Sequence, residues 1–90
     1  NKNTSAIVLQ RLATDTNNSV RIAVASNENT DPQTLQTLSA DEDISVRVNL
    51  ATNKNTDIRT LQRLVSDRTV AVRRELLKNT NINSDIIQTL

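Results

Sequence analysis

The stretch Asp15-Thr16-Asn17-Asn18-Ser19-Val20-Arg21-Ile22-Ala23-Val24-Ala25-Ser26-Asn27-Glu28-Asn29-Thr30-Asp31-Pro32-Gln33-Thr34-Leu35-Gln36-Thr37-Leu38 holds the reading of the whole chain. From Thr30 onward it opens like a helix. Thr30 is a good N-cap, Asp31 suits the positive helix start, and Pro32 is tolerated in a first turn. Gln33, three residues after Thr30, completes a capping box. Leu35 and Leu38 then share one face, which predicts a helix over about 31–40. The earlier half is clearest one copy later, in Ser45-Val46-Arg47-Val48-Asn49-Leu50-Ala51-Thr52, where Val46 and Leu50 stand four apart. That spacing predicts a second, shorter helix.

Slid against itself, the chain matches at 26 residues. Asn1, Asn27, Asn53 and Asn79 fall in register, as do Asn3, Asn29, Asn55 and Asn81. Thr4, Thr30 and Thr56 follow, and Ile82 breaks their series. Leu9, Leu35, Leu61 and Ile87 form one column, Gln10, Gln36, Gln62 and Gln88 the next, and Leu12, Leu38, Leu64 and Leu90 another. Asp15, Asp41 and Asp67, then Val20, Val46 and Val72, then Arg21, Arg47 and Arg73 complete the frame. Three full units (about 1–26, 27–52 and 53–78) and a partial one (79–90) account for the chain, read as one domain cut from a longer protein. The pattern predicts helices at about 5–14, 31–40, 57–66 and 84–90, alternating with shorter ones at about 18–26, 44–52 and 69–78. Asn27, Asn53 and Asn79 are expected at helix ends with positive φ, the residue of second choice in a chain without glycine. Each unit has one apolar face that only a neighbour can bury, so the expected fold is all-α, an α-solenoid of about three and a half stacked two-helix units. Leu, Ile and Val total 25 of 90 residues, a thin core that predicts modest stability.

The motif Asp-x4-Val-Arg-x3-Ala-x-Asn-x2-Thr-x4-Leu-x2-Leu, as it stands in Asp15 through Leu38, resembles the bacterial leucine-rich repeat variant, a relative of HEAT and armadillo repeats. The resemblance extends over essentially the whole chain. Two departures stand out: a Pro pair survives only at Asp31-Pro32, and Leu77 replaces the Ala of the column. The resemblance implies a right-handed superhelix of alternating helices acting as a binding scaffold. One member linked to an iron–sulfur cluster carries cysteines outside its repeats, and this chain has none.

What is missing excludes much chemistry. There is no Gly, Cys, His, Met, Phe, Trp or Tyr. Zinc and iron–sulfur ligation through cysteine or histidine, disulfide frameworks, thiol nucleophiles and Ser–His catalysis all need residues the chain lacks. Phosphate-cradling glycine loops and aromatic stacking platforms are missing too. No cofactor or metal is expected, and the chain reads as non-enzymatic. The formal net charge is +1, split into −3 over residues 1–45 and +4 over residues 46–90. The longest apolar run is Ala6-Ile7-Val8-Leu9, too short to span a membrane, and no signal peptide is visible, so a cytoplasmic location is expected.

Several columns are candidate sites. The Asp15, Asp41, Asp67 row could hold a metal or an acid/base pair. Recurrence beside Arg21, Arg47 and Arg73 instead favours a ladder in which each Arg ties the Asp loops of its own or the next unit. Asn27, Asn53 and Asn79 could grip peptide backbone, but their place at helix ends favours capping. The Gln column either lines a groove or forms a ladder. Asp41-Glu42-Asp43 complements a helix dipole. Arg59 and Arg63 stand four apart, as do Arg74 and Lys78, and with Arg68 and Arg73 they could meet phosphates or an acidic partner. The glycosylation-like Asn3-Thr4-Ser5 and Asn17-Asn18-Ser19 are chance matches in an Asn- and Thr-rich chain.

The columns that vary between units are where a partner would be chosen: Ile22, Ala23 and Ser26; Val48, Asn49 and Thr52; Arg74, Glu75 and Lys78. The expectation is a scaffold for a protein or peptide, with Ser26, Asn49, Thr52, Arg59, Arg63, Arg74, Glu75 and Lys78 at the contact surface. An electrostatic nucleic-acid surface at the C-terminal basic residues and a ligand-free spacer are the alternatives. No small-molecule substrate is evident.

Overall fold

The computed structural model describes residues 2–79, with side chains from Ala6 onward. Within that range the backbone is helical, with no strand: α1 (Lys2–Leu12), α2 (Asn18–Ser26), α3 (Pro32–Leu38), α4 (Ile44–Thr52), α5 (Ile58–Val65) and α6 (Val70–Leu76). The helix expected over 84–90, and the partial unit containing it, lie outside the described residues. α2, α4 and α6 pack successively on one another, and each odd-numbered helix packs against the even-numbered helices beside it. The Cα envelope measures 37 × 24 × 16 Å, and its shortest side fits two helix layers at ordinary packing distance.

The 26-residue columns build the core between these layers. Leu35 and Leu61, Val46 and Val72, Leu50 and Leu76 are all fully buried. Burying such a side chain contributes roughly 1.5–3 kcal/mol. Leu38 and Leu64 are 2% and 1% exposed, whereas Leu12, their counterpart on α1, is 36% exposed because no described helix covers its outer side. Leu77, which replaces the buried Ala25 and Ala51 of its column, projects outward.

α2 and α4 occupy the expected spans. α3 and α6 stop short of theirs because the tail closes through i→i+3 turns. Ser39 N–H bonds Gln36 O at 3.1 Å and Ala40 N–H bonds Thr37 O at 3.4 Å after α3. Leu77, Lys78 and Asn79 do likewise after α6. α1 begins at Lys2, before the expected residue 5, and ends at Leu12.

Two expectations about the connectors are corrected. Thr30 does not cap α3: Asp31 does, its side chain accepting from Thr34 N–H at 3.3 Å, and Asp57 caps α5 through Thr60 N–H at 2.9 Å. Thr30 is buried and donates its hydroxyl to Val24 O at 2.7 Å, and Thr56 donates to Leu50 O at 2.8 Å. Each Thr thus gives a second hydrogen bond to a carbonyl in the last turn of the preceding helix, beside the one from the N–H of Asn27 or Asn53. Gln33 stays exposed and closes no capping box.

Nor do the connector asparagines adopt positive φ, which no described residue does. Asn27 sits at φ −79°, ψ 128° and Asn53 at φ −74°, ψ 129°, both extended. The turn is made by the side chain: Asn27 Oδ1 accepts from Asn29 N–H and Asn53 Oδ1 from Asn55 N–H, each at 2.8 Å. An Asx turn bends the backbone at negative φ, so glycine is not required.

Candidate functional site

Two polar seams run along opposite ends of the helices and carry most of the recurring side chains. At the connector end, Asn53 Nδ2 donates to Ala25 O at 2.8 Å and Asn27 O at 3.0 Å. One unit later Asn79 Nδ2 donates to Ala51 O at 2.8 Å and Asn53 O at 3.1 Å. Asn55 reinforces the seam, donating to Thr30 O at 3.1 Å and to Glu28 O. Asn53 and Asn79 are buried, and the backbone they grip is that of the preceding unit. They are spent, and cannot also hold a peptide. Asn27 remains exposed.

At the loop end the partners are charged. Arg21 Nε meets Asp41 Oδ2 at 2.8 Å and its Nη2 reaches Oδ1 at 3.3 Å, while Nη1 donates to the carbonyls of Asp15 and Thr16 at 2.9 and 3.2 Å. Arg47 Nε meets Asp67 Oδ2 at 2.8 Å, Nη1 donates to Asp41 O at 2.6 Å, and Nη2 to Thr69 Oγ1 at 3.1 Å. Each of these two arginines takes the carboxylate of the next unit and carbonyls of its own loop. Arg73 repeats the second half, donating to Asp67 O, with no carboxylate partner among the described residues.

Each Asp also turns its own loop: Asp15, Asp41 and Asp67 accept from the N–H two residues on at 2.8–2.9 Å. The hydrogen bond from Arg21 to Asp41 raises the Arg21 pKa above its ordinary value. Asp43, the N-cap of α4, accepts from Asn18 Nδ2 at 2.6 Å and from Ser45 N–H at 2.8 Å. Those bonds, the Asn18 one first, hold its pKa below the usual carboxylate value. Among the described residues no group of three or more acidic side chains is placed to hold a metal ion.

The candidate contact residues fall on two different surfaces. Ser26, Asn49, Thr52, Arg74, Glu75 and Lys78 lie on the outer sides of α2, α4 and α6 or just past their ends. Much of their polarity is spent locally: Ser26 Oγ donates to Ala23 O at 3.1 Å, Asn49 Nδ2 to Ser45 O at 2.8 Å, Thr52 Oγ1 to Asn49 O at 3.3 Å, and Lys78 pairs with Glu75 at 3.0 Å.

Arg59 and Arg63 sit on α5, each two residues from buried Leu61, so they project about 200° away from the core. Arg74 flanks buried Val72 and Leu76 on α6 in the same way. The two layers put their outer sides back to back, and the basic residues do not form one face. Gln10 and Gln62 are exposed and Gln36 half-buried. Gln10 borders a small groove of about 180 Å³ between α1 and α3.

A larger groove, about 380 Å³, opens between the loop after α3 and the end of α5. Arg63 and Arg68 line it together with Ser39, Ser66 and the Asp41 and Asp67 loops. Spacing along one helix could not bring Arg68 to Arg63. The only hint in the sequence is that both columns vary, as Arg11/Thr37/Arg63 and Thr16/Glu42/Arg68.

Among the described residues no helix is long and apolar enough to cross a membrane. No curated protein and no solved structure matches the chain. One family does: from the start of α2 through the connector and α3 to the cap of α4, residues 19–43 match the leucine rich repeat variant, a HEAT-like helical repeat.

Proposed function

We propose that this chain is a non-enzymatic α-solenoid, a right-handed stack of about three and a half 26-residue two-helix units, that serves as a scaffold for a protein or peptide partner in the cytoplasm. The unit boundaries are those of the repeat, about 1–26, 27–52, 53–78 and a partial 79–90. One observation carries the reading. The Asn, Asp and Arg columns that recur at 26-residue spacing are spent on joints between or within units, while the columns that change from unit to unit in the same frame stay exposed or half-buried at the surface. A frame that consumes its constant residues in holding itself leaves the variable ones for recognition. The leucine rich repeat variant match supports a scaffold of this kind.

The test is selection of binding peptides from a displayed random library against the intact chain. Recovered peptides are then measured against the charge swaps Arg59→Glu/Arg63→Glu and Arg74→Glu/Lys78→Glu. Affinity for selected peptides that one of the two swaps abolishes is the expected result. A parallel titration of labelled duplex and single-stranded oligonucleotides addresses the second reading. Micromolar binding that collapses between low and physiological salt and is lost in Arg59→Glu/Arg63→Glu would replace the scaffold with a phosphate-binding surface. If neither ligand binds and all swaps are silent, the chain is a spacer.

A further inference from the structure

The groove between the loop after α3 and the end of α5 is where the charges of the frame fail to cancel. Within it Asp41 is taken by Arg21, and Asp67 by Arg47. Ser39 Oγ donates to Gln36 O at 2.6 Å. Arg63 and Arg68 remain, and neither makes an ion pair or side-chain hydrogen bond among the described residues. Both are exposed, and Ser66 beside them presents a hydroxyl at the rim.

The preceding junction supplies an internal control. Its counterparts of Arg63 and Arg68, found 26 residues earlier, are Thr37 and Glu42. The same seam closes there without the two cations, so the frame does not need them. Arg63 complements the C-terminal end of α5, which explains one cation on structural grounds. It does not explain why a second stands beside it on the next loop.

The geometry points to a carboxylate-binding groove, in which Arg63 and Arg68 receive adjacent acidic side chains of an extended peptide segment from a partner protein. This rests on the scaffold reading and names its ligand. The chemistry is already present a few residues away, where Arg21 and Arg47 hold carboxylates at 2.8 Å through the same guanidinium donors. A long polyanion fits poorly. The Asp41 and Asp67 carboxylates, each already paired with an arginine, interrupt any longer run of cations along the groove, and no aromatic side chain exists to stack a base. A localised pair of negative charges neutralises two guanidinium groups and goes no further.

The deciding experiment is fluorescence anisotropy of a labelled twelve-residue Glu/Asp-rich peptide titrated with the full chain. Matched Ser-rich, Lys-rich and phosphoserine peptides are run beside it. Expected is salt-sensitive binding of the acidic peptide that weakens tenfold or more in Arg63→Thr/Arg68→Glu. These are the residues that the first junction carries, so the variant keeps its helical circular dichroism. Arg11→Ser, at an exposed cation on α1 away from the groove, is expected to stay within twofold of the parent.

The converse variant, Thr37→Arg/Glu42→Arg, is expected to raise the peptide stoichiometry from one to two. Equal loss in Arg11→Ser, unchanged binding in Arg63→Thr/Arg68→Glu, or binding of the phosphoserine peptide alone would each overturn the inference. If library-selected peptides bind and map to α2, α4 and α6 instead, the groove assignment fails and the scaffold reading stands. If no peptide of any kind binds, both fail.

Discussion

The two junctions between units share one frame and close it differently. At the first, Arg21 spreads its guanidinium over Asp41 and two carbonyls, the side chains being 15% and 9% exposed, and Asn18 adds a bond to Asp43. At the second, Arg47 and Asp67 are 5% and 8% exposed. There Ile44 replaces the amide of Asn18, and the third contact goes to the hydroxyl of Thr69. That hydroxyl is then lost to its own helix: α6 has no side-chain cap bond, whereas Asp43 caps α4. One constant arginine column thus accepts whichever acceptor the neighbouring loop offers, and the helix beside it bears the consequence.

The largest test of this difference is removal of the arginines. Arg47→Met leaves the Asp67 carboxylate buried without its partner and should cost about 3–5 kcal/mol, enough to unfold much of a small domain. Arg21→Met, at the more open junction, should cost clearly less. Urea titrations followed by far-ultraviolet circular dichroism compare the two, and equal losses would mean that exposure does not distinguish the junctions.

Next comes the opposite seam. Asn53→Ala removes two donors and the Asx turn, orphaning the Ala25 carbonyl, and should cost about 2–3 kcal/mol. Thr56→Val, which loses a single hydroxyl bond to Leu50 O, should cost about 1–2 kcal/mol in the same titration. A smaller effect of opposite sign is expected at Thr60, whose buried hydroxyl has no partner among the described residues. Thr60→Val should stabilise by about 1 kcal/mol or less, read as a raised denaturation midpoint.

The smallest effect is one of pH. Asp43 is depressed below its ordinary 3.8 in the folded state, so its contribution is complete above that value and is lost as pH falls through the lower native value. The second junction carries Thr69 at the equivalent position and has no such group. Amide exchange in acid should therefore loosen the end of α2 against α4 before α4 against α6, and Asp43→Asn should erase the order.

Much of the fold was legible from period alone. Val46 and Leu50 four apart, repeated at Val72 and Leu76, specify a helix whose buried side is known before any contact is seen. The connectors were not, for a physical reason. Thr30 and Asp31 are both good cap residues, and only the burial of Thr30 against Val24 O decides between them. Likewise Asn27 can turn a chain by positive φ or by its side chain, and composition does not separate the two. The Asp and Arg columns were visible as columns, but which unit's carboxylate an arginine takes is a matter of three-dimensional stagger. Arg68 was hardest, because Asp67 is its neighbour in sequence while its neighbour in space is Arg63, one element back.

The bonds between units are defined by differences in residue number and not by absolute position. Asn reaches back 26 and 28 residues, and Arg reaches forward 20. A tandem duplication of any 26 consecutive residues, wherever its breakpoint falls, therefore hands every copied donor an acceptor at the correct offset. An insertion of one residue in a connector lies between donor and acceptor of both seams, and so displaces the Asn and the Arg partners together. Lineages carrying such genes can thus lengthen or shorten the array in a single unequal crossover while the joints remain intact, and drift by single-residue insertion is closed to them.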